Sequence, residues 1–147
     1  MNDIVLRPAI PAMPPAAIDL VRRLEVENLT RPQTDLRFEH HLHAGLYART
    51  MIVPELPAGR QCLITGAFIR IPTLLVSCGD ALLYVGEDAP IALSGFQVIE
   101  AQAGRKSAFL ASSGYRLVMA FATSAATVEQ AEEEFTNEAH RLQSRRD

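Results

Sequence analysis

The chain has 147 residues, 48% of them hydrophobic, with a net charge of −3 and two cysteines. That length suits one domain with short extensions and a core that needs no disulfide or metal staple. The acidic balance and scattered basic residues exclude a nucleic-acid footprint, and no apolar run approaches the roughly 20 residues that span a bilayer.

In chain order, Met1-Asn2-Asp3-Ile4 lacks the basic start and apolar run of a signal peptide, so secretion by that route is not expected. Residues 1–15 carry Pro8, Pro11, Pro14 and Pro15, which remove backbone donors and favour an extended arm outside the core. Ile18, Val21 and Leu24 then recur at helical spacing behind Pro15, which suits a first turn, and Thr30-Arg31-Pro32 ends that short helix. Asp35 to His43 reads as a leading strand or loop. From Leu46 to Thr123 short apolar runs alternate with glycine and proline turns, a pattern that predicts an all-β sandwich or barrel. Strands are expected over 46–53, with Tyr47, Arg49, Met51 and Val53 on one face, and over 62–65, 67–71, 73–77, 81–85, 91–93, 96–101, 107–111 and 115–123. Gly79-Asp80, Gly86-Glu87-Asp88 and Ser112-Ser113-Gly114 supply turns. Thr127 to Gln130 is a capping-box pattern. Glu129 and Glu132 to Glu134 suit the positive end of a helix, and Arg141, Arg145 and Arg146 its negative end. The expected organisation is therefore an arm and short helix over 1–35, a β-barrel over 36–124 and a C-terminal helix over 125–147. The acidic run reads as a solvated helix face. Cys62 and Cys78 fall in strand interiors and read as buried free thiols of a reducing compartment.

Chemistry-bearing residues are few. Three of the four histidines lie in Glu39-His40-His41-Leu42-His43, and the barrel region that follows has none. If this segment is extended, Glu39, His41 and His43 share a face. A divalent metal wants three or four ligands in fixed geometry, and the remaining ones are missing, so no metal and no cofactor are expected. His41 and His43 are then pocket-rim or interface groups. Tyr47, Arg49 and Arg70 are polar-tipped side chains on predicted strands, which either line a ligand pocket or face outward. Gly104-Arg105-Lys106 lacks the following helix N-terminus of a phosphate loop; an anion contact is the lesser reading and a solvated turn the favoured one. No G-x-S-x-G elbow occurs, and no catalytic residue is assigned.

The runs His43-Ala44-Gly45-Leu46-Tyr47-Ala48-Arg49-Thr50, Leu63-Ile64-Thr65-Gly66-Ala67 and Arg70-Ile71-Pro72-Thr73-Leu74-Leu75-Val76-Ser77-Cys78-Gly79-Asp80 resemble the small cupin-like proteins of tailed phages and prophages. Leu93-Ser94-Gly95, Ala103-Gly104-Arg105-Lys106 and Ala131-Glu132-Glu133-Glu134-Phe135-Thr136 extend the likeness over about two-thirds of the chain. The resemblance implies a cupin-type jelly roll, a homo-oligomer and a phage or prophage origin. Related phage members carry His after the equivalent of Thr65-Gly66-Ala67. Here Phe68, Ile69, Arg70 and Thr73 stand instead, which puts metal-dependent catalysis in doubt.

Two functions follow. One is a non-enzymatic, oligomeric jelly-roll protein with a structural or accessory role in the virion or the host cytoplasm, and with other phage structural proteins as partners. The alternative is a metal-independent small-molecule binder or enzyme that uses the barrel mouth, with His41, His43, Tyr47, Arg49 and Arg70 as its polar groups. Neither involves nucleic acid or a membrane.

Overall fold

The computed structural model describes residues 9–86 and 89–145. Pro8 of the arm, Glu87-Asp88 and Arg146 lie outside them. The elements are β1 (Ala9–Ile10), α1 (Pro15–Asn28), β2 (Arg37–His43), β3 (Leu46–Ile52), β4 (Gln61–Thr65), β5 (Thr73–Cys78), β6 (Ala81–Tyr84), β7 (Ile91–Leu93), β8 (Phe96–Ala101), β9 (Ala108–Ser112), β10 (Arg116–Ala122) and α2 (Val128–Phe135), followed by two short 3₁₀ turns.

The strands form two sheets, β1-β8-β5-β10-β3-β2 and β4-β9-β6-β7. All pairings are antiparallel except β1 with β8. Alternation directs one face of each sheet inward. Tyr47, Leu75, Ile99 and Met119 of the larger sheet share a core cluster with Leu83, Leu93 and Phe109 of the smaller one. Burying such side chains contributes about 1.5–3 kcal/mol each. This is a double-sheet jelly roll, as the spacing of strands and turns predicts. The β2–β3 hairpin turns on Ala44 (φ 50°) and Gly45 (φ 77°), the left-handed pair of a type I′ turn, whose twist matches the flanking strands.

Four expectations need correction. The stretch 9–13 is no free arm: Ala9 and Ile10 pair with Glu100 and Ala101, and Ile10 and Met13 are buried. Residues 67–71 form no strand. Only Ile69 bridges to Arg105, while the Phe68 and Arg70 N–H groups donate to Glu138 and to the Phe135 carbonyl, so this run crosses between the sheets rather than joining one. The C-terminal helix is much shorter than 125–147. The Thr127 hydroxyl accepts from the Gln130 N–H, and the Gln130 side chain reaches back to the Ala126 N–H, one residue before the cap. The helix ends at Phe135, and Thr136 is already extended. Cys62 and Cys78 are both free, but only Cys62 is buried.

α1 begins at Pro15, as expected, and packs on the outside of the smaller sheet, where Ala17 and Val21 meet Met13 and Ala108. α2 covers one end of the barrel: Phe135 stacks against Tyr47 and meets Phe121 edge-on. Among the described residues no helix is long and apolar enough to cross a membrane.

Candidate functional site

A cavity of about 1190 Å³ reaches from the inner faces of both sheets to the space between the end of α1 and the segment after α2. Phe38, Met51, Leu75, Phe109, Leu117 and Met119 give it apolar walls. Arg49, Arg105, Ser107 and Glu138 bring polar groups to it.

Arg49 comes from the inward face of β3 and is 8% exposed. Its Nη1 donates to Glu132 Oε2 at 3.0 Å, and Glu132 Oε1 accepts from Arg145 Nε at 2.8 Å. The guanidinium lies 4.4 Å from the Phe38 ring centroid and 5.7 Å from that of Phe135, within cation–π range. Glu132, only 2% exposed, is thus a buried counter-ion and not part of a solvated face.

Arg105 enters from the run that leads into β9 of the smaller sheet. Arg105, Ser107 and Phe109 alternate along the run into β9 and all line the cavity. Lys106 and Ala108, between them, turn toward α1. Arg105 is 3% exposed, so Gly104-Arg105-Lys106 is not the solvated turn that its composition suggests. Its Nη1 donates to the Gln102 carbonyl at 2.7 Å and its Nη2 to Thr73 Oγ1 at 2.6 Å. Both partners are neutral, and among the described residues no carboxylate pairs with it. Burial alone pulls the guanidinium down to about 10, so it keeps its charge at neutral pH. Ser107 Oγ is buried with no hydrogen-bond partner among the described residues.

Lys106 is fully buried between two carboxylates, Glu25 Oε2 at 3.0 Å and Glu138 Oε2 at 3.1 Å. Glu138 also accepts from Arg22 at 2.7 Å and from the Phe68 N–H at 3.2 Å. Burial opposes ionisation of Glu138, but the hydrogen bonds from Arg22, Lys106 and Phe68 outweigh it and hold the carboxyl below its usual value. This network ties α1 to the segment after α2 across the outer part of the cavity.

The sequence-predicted residues separate. Arg49 lines the cavity. Tyr47 is fully buried behind it, where its hydroxyl meets His40 Nδ1 at 2.8 Å. Burial pushes the Tyr47 hydroxyl up and, aided by Arg49, the His40 ring down, so both are neutral near pH 7. Glu39, His41 and His43 do share a face of β2, but it is the exposed one. Arg70 is exposed and caps α2, donating to the Glu133 carbonyl and to the Glu134 carbonyl at 3.2 Å. His40, Arg105, Ser107 and Glu132 were missed. Two signals pointed to the first three. Phe38 and Leu42 are the apolar members of β2, so the even-numbered positions face inward. Ser107 and Arg105 continue the inward parity of Phe109.

Among the described residues no group of three His, Cys, Asp or Glu side chains is placed to hold a metal ion. Cys62 is the one metal-ligating side chain that the strands bring to the cavity among the described residues, and the rest of their contribution is Arg49, Gln61, Thr65 and apolar groups, which do not fit a metal-ligating set.

No protein-family model and no curated protein matches the chain. Solved structures do. An ectoine synthase from P. lautus aligns with a TM-score of 0.50 at 16% identity, over 71% of this chain and 76% of that one. The likeness is one of fold. KdgF from Halomonas sp. (TM-score 0.47, 14% identity, 67% of this chain and 93% of that one) and a cupin superfamily protein from Desulfitobacterium hafniense DCB-2 (0.47, 10%, 64% and 83%) are further neighbours. Nothing in these comparisons indicates a phage origin.

Proposed function

We propose that this protein binds a small organic molecule in the barrel cavity. The cavity itself carries the proposal: apolar walls from both sheets surround a few buried polar groups, the composition of a ligand site rather than of a filled barrel. Binding is metal-independent in this proposal, because the side chains that reach the cavity from the strands do not form a metal-ligating set. Arg49, neutralised by Glu132 and flanked by Phe38 and Phe135, serves as a rigid part of the wall. A phage structural role has no supporting observation and is not proposed.

Nile red, a neutral apolar dye, tests this. The protein is expected to bind it with a blue-shifted emission, and Met119→Trp, which fills the cavity from β10, is expected to weaken that binding at least about tenfold while the circular dichroism spectrum stays unchanged. Absence of binding by the unaltered protein would sink the proposal. So would undiminished binding by a folded Met119→Trp protein.

A further inference from the structure

We infer that the cavity takes a monoanionic carboxylate with an apolar body, anchored by Arg105 and Ser107. This rests on the ligand-binding role proposed above and names its ligand class. A buried charge is ordinarily paired, because removing it from water is costly. Arg49, Lys106 and Glu138 obey that rule within the chain. Arg105 does not: its partners are the Gln102 carbonyl and the Thr73 hydroxyl. Those two bonds leave other N–H donors of the guanidinium uncommitted. The planar fork of a guanidinium matches a carboxylate, and such charge-assisted bonds are about twice as strong as neutral ones.

Ser107 supplies an independent observation. Its side chain is more than nine-tenths buried, it lines the same cavity, and its Oγ has no partner among the described residues. Two residues along the same run, Ser107 and Arg105 present a hydroxyl donor and a cation from one side. Around them the cavity is closed by Ile10, Ile69, Leu75 and Phe109, all apolar. A carboxylate bound there satisfies the hydroxyl and neutralises the cation, and its hydrocarbon part meets the apolar walls. A single negative charge matches Arg105, the buried cation that no carboxylate meets among the described residues, since Arg49 already has Glu132.

The test compares octanoate with octanol by isothermal titration calorimetry on the full chain at neutral pH. Octanoate is expected to bind at least about tenfold more tightly, the usual worth of a charge-assisted hydrogen bond. Arg105→Gln is expected to abolish that preference while keeping the affinity for octanol, and Ser107→Ala to reduce it several-fold. If octanol binds as well as octanoate, or if Arg105→Gln keeps the preference, the anion assignment is overturned while the cavity role survives. If neither octanol nor Nile red binds, both fall. Should Arg105→Gln fail to fold, the comparison on the unaltered protein still decides.

Discussion

Arg49 of β3 and Arg105 of the run into β9 reach the same cavity, both deeply buried, and they differ in what meets their charge. Arg49 has a carboxylate from a residue 83 positions away, itself shared with Arg145, and two aromatic rings beside it. Arg105 has a carbonyl and a hydroxyl. The chain therefore spends a long-range ion pair at one wall and leaves the other open to an external anion. In a buried site the missing counter-ion says more about function than the present one.

Removal of the internal counter-ion of Arg49 has the largest expected effect. Glu132→Leu leaves two buried or half-buried arginines without their shared carboxylate, and urea denaturation is expected to record a loss of about 3–5 kcal/mol. Arg49→Met strands Glu132 in turn. The double variant Arg49→Met/Glu132→Leu is expected to cost less than the two single losses added together, by more than about 1 kcal/mol. Strict additivity would mean that the pair is not coupled as its geometry indicates.

A smaller effect is expected at Glu138. Glu138→Gln weakens the bonds from Arg22 and Lys106 and should cost about 1.5–3 kcal/mol at pH 7. Because the folded carboxyl titrates below its usual value of 4.5, the unfolded chain binds more protons in the window beneath that value. The stability that Glu138 contributes is thus complete above pH 4.5 and lost as pH falls through the lower folded value. Denaturation curves of the two proteins should converge as the pH drops below 4.5. A gap that stays constant across that range would contradict the assignment.

The smallest effect is expected at Arg105. Arg105→Met removes two hydrogen bonds but also an unpaired buried charge, and the two changes nearly offset each other, within about 1 kcal/mol of the unaltered stability. A loss as large as that of Glu132→Leu would show that the chain already neutralises Arg105.

Much of the β architecture was legible because period-2 alternation and glycine turns are local signals. The Tyr47-Arg49-Met51-Val53 face and the Thr127 cap follow directly from them. The parallel pairing of Ala9 and Ile10 was not legible, since two residues carry no periodicity and prolines surround them. Residues 67–71 looked like a strand because most of them are apolar, but the Phe68 and Arg70 N–H groups serve the C-terminal segment instead. The site was less legible than the fold. Arg105, Lys106 and Glu132 read as surface charges because solvation favours charges outside, yet each is buried with a partner 32 or more residues away. The histidines misled for a different reason. The H-x-H pair is the more conspicuous pattern, whereas the parity of Phe38 and Leu42 turns His40 inward and leaves His41 and His43 in solvent.

The most direct measurement is a crystal structure of the full chain grown with octanoate. The account predicts density in the cavity between the sheets, with the carboxylate within hydrogen-bond distance of both the Arg105 guanidinium and Ser107 Oγ and the alkyl chain against Leu75 and Phe109. An empty cavity, or octanoate bound there with its carboxylate turned away from Arg105, would contradict it.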